Sequence, residues 1–227
     1  MTQLPLEMPF GFRDGYGDFI VSTSNMLAAA SVEQWPDWPG SYRALNLVGA
    51  AGAGKSHLAA LWRARLAADS ETNATVLDSL CDLGANCADF SPFAVLDHIQ
   101  PGPAWHEESL FHLFNRCGRS GGLLLLSDMP VGQMRWRLPD LLSRMRAVNV
   151  ARIDVPDDAL LRALFEKFFM VRQIVPPPAM LDYLVGRMER SFDAVNRIGQ
   201  ALDHLSIAEK RPLSVALARD VLRDFQP

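Results

Sequence analysis

Gly49-Ala50-Ala51-Gly52-Ala53-Gly54-Lys55-Ser56 decides how this chain folds. It fits G-x-x-x-x-G-K-[ST], the pattern of a phosphate-binding P-loop. The apolar run Ala44-Leu45-Asn46-Leu47-Val48 before it reads as a buried strand. His57 to Ala68 after it reads as a helix, with Leu58, Leu61 and Trp62 on one face. In that strand–loop–helix setting, glycines let backbone N–H groups wrap phosphate oxygens, and the helix N-terminus adds partial positive charge. Ala51, Gly52, Ala53, Gly54, Lys55, Ser56 and His57 are therefore the candidate nucleotide contacts. Lys55 is placed to reach the β- and γ-phosphates and Ser56 to hold Mg²⁺.

Outward from the loop, further strands are expected at Ala74–Asp78, Pro92–Leu96, Gly122–Leu126 and Asn149–Ile153, with helices between them such as Ser24–Glu33 and Glu107–Cys117. Strands alternating with helices imply a parallel sheet covered on both faces, here with five strands. From Pro156 the pattern becomes helical only. Asp157 can cap a helix bearing Leu160, Leu161, Leu164, Phe165 and Phe168; Pro176-Pro177-Pro178, Ser191 and Ser214 open three more. The expected organisation is a tail over 1–17, an α/β nucleotide-binding domain over 18–155 and a small all-helical lid over 156–227.

Phe93-Ala94-Val95-Leu96-Asp97 has the form of a Walker B strand. Asp97 at its carboxyl end would share Mg²⁺ with Ser56. The next residue is His98, where ATPases of this kind carry a second carboxylate to activate water; weak or absent intrinsic hydrolysis is the expectation.

Composition narrows the field. The 227 residues are 49% hydrophobic, with a net charge of −4, so strong nonspecific DNA binding is not implied. Lysine occurs only at Lys55, Lys167 and Lys210; the other basic residues are arginines, which suit forked contacts to phosphate. Three cysteines without metal-ligand spacing read as reduced thiols of a cytoplasmic protein. No apolar run reaches membrane-spanning length and no signal peptide is evident.

Taken in order, these pieces resemble the AAA+ ATPases of bacterial replication initiation, the DnaA family. Asp18-Phe19-Ile20-Val21-Ser22-Thr23-Ser24-Asn25 looks like the family's opening motif, in which Phe19, Ile20 and Val21 would lie against adenine. Leu123-Leu124-Leu125-Leu126-Ser127-Asp128-Met129-Pro130 resembles sensor 1, with Ser127 and Asp128 at the strand end. Leu138-Pro139-Asp140-Leu141-Leu142-Ser143-Arg144-Met145 resembles the segment carrying the arginine finger, which makes Arg144 the finger acting in trans. Arg135, Arg137 and Arg146 lie close by in sequence. The sensor 2 arginine has no counterpart: Asp193 stands there, and Arg190, one turn earlier, is the candidate substitute.

Full-length initiators end in a helix-turn-helix domain, whereas here acidic and basic residues balance over 151–227. The resemblance narrows to shortened DnaA homologues of the Hda type, which inactivate DnaA. Gln3-Leu4-Pro5-Leu6-Glu7-Met8 fits the Q-L-x-L-x-apolar hexapeptide that docks on the sliding clamp, the β subunit of DNA polymerase III. Gln3 would make polar contacts while Leu4, Leu6 and Met8 fill an apolar pocket. The resemblance implies ATP or ADP with Mg²⁺ as cofactors, DnaA and the clamp as partners, and indirect or weak DNA contact. It also implies negative regulation of initiation through hydrolysis of DnaA-bound ATP. A homodimer through Arg144 is compatible with it. Two other functions fit the same pieces: an autonomous initiation ATPase resembling a helicase loader, and a non-catalytic adaptor between DnaA and the clamp.

Overall fold

A computed structural model describes residues 19–70, 73–78 and 91–224. The Gln3–Met8 hexapeptide, Cys81 and Cys87 lie outside the described residues. Five strands form one parallel sheet: β1 (Ala44–Val48), β2 (Thr75–Leu77), β3 (Phe93–Leu96), β4 (Gly122–Ser127) and β5 (Asn149–Arg152), in the order β2-β3-β4-β1-β5. Each falls within one residue of its sequence-read span. Every residue of β1 and β4 is buried, as expected of central strands covered on both faces.

The two-residue alternation of a strand divides those side chains between two cores. Leu45, Leu47, Leu124 and Leu126 face α1 (Met26–Glu33) and α2 (Lys55–Ser70), where Trp35, Trp38 and Trp62 pack together. Ala44, Leu123 and Leu125 face α3 (Glu107–Ser120) and α4 (Pro139–Arg146), meeting Leu110, Phe114, Leu141 and Met145. Helix α3 starts at His106, whose ring accepts from Ser109 N–H, and carries Glu107 and Glu108 in its first turn. Acidic residues there complement the helix dipole.

Four helices follow: α5 (Asp158–Met170), α6 (Pro178–Val185), α7 (Phe192–Glu209) and α8 (Val215–Asp224). They share a third core in which Phe165, Phe169, Leu184, Leu202 and Leu217 are fully buried. Phe169, not Phe168, fills the centre. Phe168 is only partly buried at its edge, where the Arg172 guanidinium covers its ring. The capping residues are those read from sequence: Asp157 accepts from Leu160 N–H, Ser191 from Ala194 N–H and Ser214 from Leu217 N–H. Among the described residues no helix is long and apolar enough to cross a membrane.

Candidate functional site

The register brings the chemistry to one edge. Val48 of β1 lies beside Ser127 of β4, and Leu96 of β3 beside Leu125. The P-loop, Asp97 and the Ser127-Asp128 pair therefore all leave the carboxyl ends of adjacent strands, where open α/β sheets bind their ligands.

Gly52 and Gly54 adopt φ of +69° and +95°, a region that side chains with a Cβ disfavour. Lys55 begins α2 and is nearly buried. Its ammonium donates to the carbonyls of Gly49 and Ala50 and pairs with Asp128 at 2.9 Å. Ser56 Oγ donates to Asp97 Oδ2 at 3.1 Å. A hydroxyl and a carboxylate are thus side by side at the loop, a fitting donor pair for a hard divalent cation. Asp97 Oδ1 accepts from His98 N–H, and the exposed His98 ring lies 3.2 Å from the same oxygen. His98 itself takes φ of +52°. Among the described residues there is no cluster of three or more metal-ligating side chains.

Ser127 is buried, and its hydroxyl donates to the Met129 carbonyl at 2.7 Å. It also accepts at 2.8 Å from Asn46, a fully buried residue in the middle of β1. The Asn46 amide donates further to the Leu125 carbonyl and accepts from Val131 N–H. Asn46 is the site residue that motif reading misses. Its signal is a lone amide inside the apolar run Ala44–Val48, since a buried amide persists only where its hydrogen bonds are met.

A cleft of about 500 Å³ opens here, lined by Lys55, His98, Ser127, Asp128, Gln133 and Arg135 among others. A second, of about 320 Å³, lies between the opening segment and the helical region, with Phe19, Ile20, His57, Phe192 and Asn196 on its walls. The Phe19 and His57 rings meet edge to face at 5.3 Å. Val21 packs against the core on the α2 side and does not line the cleft. Asn25 braces the opening segment, accepting from Ser22 N–H and donating to the Ile20 carbonyl.

Helix α7 meets the loop directly. Phe192 N–H donates to the Gly52 carbonyl at 3.1 Å. A Cβ on Gly54 would lie 3.4 Å from the Phe192 ring, and one on Gly52 3.4 Å from Asp193 Cβ. Arg190 is not among the groups gathered at the loop. It pairs with Asp158 and donates to the Pro156 carbonyl, bracing the start of α5. Asp157, the α5 cap, accepts from Thr23 as well as Leu160. Burial pushes its pKa up, but the hydrogen bonds from Leu160, Thr23, Ser22 and Ser24 outweigh that and hold it below the usual aspartate value.

Arg144 lies apart, in the last turn of α4. Its guanidinium is 4.8 Å from the Tyr42 ring centroid and 5.8 Å from that of Phe111. Helix α4 is fixed at its start by Pro139 and by the Glu107 carboxylate, which accepts from Arg137 and Leu138 N–H.

The parallel sheet, the P-loop at its carboxyl edge and the trailing helices define an AAA+ P-loop fold. Solved structures agree. Domain III of the replication initiation protein DnaA from Thermotoga maritima superposes with a TM-score of 0.77 at 19% identity, over 92% of this chain and 95% of that one. AMPPCP-bound DnaA from Aquifex aeolicus matches with a TM-score of 0.60 at 18% identity, over 83% of this chain and 63% of that one. The Thermotoga maritima RuvB Holliday junction branch migration motor matches at 0.64 and 17% identity, over 87% of this chain and 66% of that one. No protein-family model matches the sequence. The chain therefore has the AAA+ fold that DnaA and RuvB share.

Proposed function

We propose that the protein is an adenine-nucleotide-binding regulator of replication initiation that promotes hydrolysis of ATP held by DnaA. The observation that carries this reading is the setting of Arg144. It stands on a helix anchored at its N-terminus, and its guanidinium makes no hydrogen bond or ion pair among the described residues. A cation so presented can stabilise charge developing on a phosphoryl group supplied by another subunit. The fold shared with DnaA domain III supports a partner surface of the same type.

In this reading a nucleotide-binding body over 18–155 and a lid over 156–227 hold ATP or ADP. Lys55 and the backbone of Ala51–Ser56 take the phosphates, Phe19 and Ile20 with His57 line the base side, and Ser56 and Asp97 hold Mg²⁺. The bound nucleotide supplies rigidity between lid and body. Lys55 already has Asp128 and two carbonyls as partners, and His98 follows Asp97, so turnover by this chain itself is slow. Gln3, Leu4, Leu6 and Met8 tether the protein to the sliding clamp, limiting its action to chromosomes under replication.

The test is ATP hydrolysis by DnaA from the same organism with DNA-loaded clamp. Stimulation on adding this protein, lost on Arg144→Ala and on removal of Gln3–Met8, is the expected result. Stimulation that survives Arg144→Ala would overturn the finger. No stimulation by the folded, nucleotide-loaded protein would overturn the regulatory reading.

A further inference from the structure

Tyr42 and Phe111 come from different elements and converge on one cation. Tyr42 lies two residues before β1, and Phe111 lies in the second turn of α3. The Arg144 guanidinium sits 4.8 Å from the first ring and 5.8 Å from the second. The platform is itself supported. The Tyr42 ring meets the fully buried Phe114 ring edge to face at 5.2 Å, and a Cβ on Gly118 would come within 3.3 Å of Tyr42 Cδ1. Gly118 leaves the space that the tyrosine side chain occupies beside α3. Its carbonyl also accepts from Arg43 N–H, fixing the chain next to Tyr42.

We propose that Tyr42 and Phe111 are positioning residues for Arg144, and that this pairing sets how effectively the arginine acts in trans; the inference rests on the finger reading above. A guanidinium engages an aromatic ring through its flat face. Its N–H donors lie in the plane and stay available to phosphate oxygens. An arginine held over rings in this way is fixed without its donors being used. Elsewhere in the molecule Arg162, Arg172, Arg190, Arg197 and Arg211 are committed to carboxylates. Arg144, held by rings, keeps its donors for a partner. A long unbranched side chain has much rotamer freedom to lose, and fixing it beforehand moves that cost out of the transition state.

The experiment measures DnaA ATP hydrolysis against the concentration of this protein, for wild type, Tyr42→Leu, Tyr42→Phe and Phe111→Leu, alongside an NMR readout. Tyr42→Leu should lower the maximal stimulated rate by about tenfold and leave the half-saturating concentration within about twofold. Tyr42→Phe, which keeps the ring, should restore the rate. In an Arg144→Ala background, Tyr42→Leu should change nothing further. The NMR readout is independent of DnaA: the Arg144 side-chain protons should be ring-current shifted in wild type and in Tyr42→Phe, and shifted clearly less in Tyr42→Leu, where only the more distant Phe111 ring remains. If Tyr42→Leu does not fold, Phe111→Leu, at the core's edge, supplies the same comparison with a smaller effect. Wild-type rates in both leucine variants, or Tyr42→Phe as impaired as Tyr42→Leu, would overturn the inference. Absent stimulation by wild type with the ring-current shift intact would instead sink the finger reading and leave the cation–ring contact itself established.

Discussion

Replacing Asn46 by alanine should cost this protein about as much as any single polar substitution can. Three short hydrogen bonds end on that amide, two donated, to Ser127 Oγ at 2.8 Å and to the Leu125 carbonyl at 3.0 Å, and one accepted from Val131 N–H at 3.0 Å; a longer one reaches the Leu47 carbonyl at 3.5 Å. Asn46, Val131 and Leu125 are fully buried, so no water replaces the lost partner. The orphaned Val131 N–H costs about 1–3 kcal/mol and the two donated bonds about 1 kcal/mol each, giving about 3–5 kcal/mol. Urea unfolding followed by tryptophan fluorescence reads this as a fall in midpoint at constant slope. The loss should also be shared with its partner. Ser127→Ala alone leaves Asn46 two of its three short bonds, so a double-mutant cycle between Asn46→Ala and Ser127→Ala should show coupling of about 1 kcal/mol. Asn46→Asp keeps the acceptor for Val131 but sets a carboxylate against the Leu125 carbonyl, and should be no better tolerated than alanine. A loss below about 1 kcal/mol for Asn46→Ala, well under the summed cost, would refute the reasoning. So would independent effects in the cycle. Either would mean that β4 and the turn after it hold Ser127 and Asp128 without the amide.

Lys55→Ala should weaken ADP binding by on the order of a hundredfold by calorimetry, because a charge-assisted phosphate contact is lost; the thermal midpoint without nucleotide should move far less. Gly54→Ala puts a Cβ at φ of +95° and 3.4 Å from the Phe192 ring, so a loss of about 1–2 kcal/mol is expected, visible in chemical unfolding. Asp157 should make stability depend on acid pH. Its native pKa is depressed, so its contribution is complete above the ordinary aspartate value and fades as pH falls below it, through the lower native one. Melting curves of wild type and Asp157→Asn should accordingly differ at neutral pH and converge in acid.

The strands were legible because the apolar runs are unbroken and bounded by turns. Leu123 to Leu126 can only be buried on both faces, and the P-loop between Val48 and Lys55 fixes which end of the sheet carries the chemistry. Helix caps were legible for a local reason: Asp157, Ser191 and Ser214 act within three residues. What sequence could not supply was contact at a distance. Nothing adjacent in sequence marks Asn46 as the partner of Ser127 and Val131, or Tyr42 as the ring beneath Arg144. Both depend on which strand lies beside which, and the order β2-β3-β4-β1-β5 arises only when the sheet assembles. Likewise Phe168 and Phe169 are indistinguishable by helical period, and only the tertiary core decides which is enclosed.

The junction between α7 and the P-loop is built without an arginine. Asp193 stands over Gly52 and shares its charge with Arg197 one turn on, at 3.2 Å. Arg190 is drawn the other way, to Asp158. What joins α7 to the loop is a backbone hydrogen bond from Phe192 to Gly52 and the Phe192 ring against Gly54. Neither contact carries net charge. Coulomb attraction between an arginine and phosphate grows with the number of phosphate charges, whereas an amide bond and a packed ring do not respond to them. Helix α7 is therefore seated by the loop's shape and not by its charge, so Phe192→Ala should loosen this junction more than Arg190→Ala does, which hydrogen exchange of the α7 amides would read.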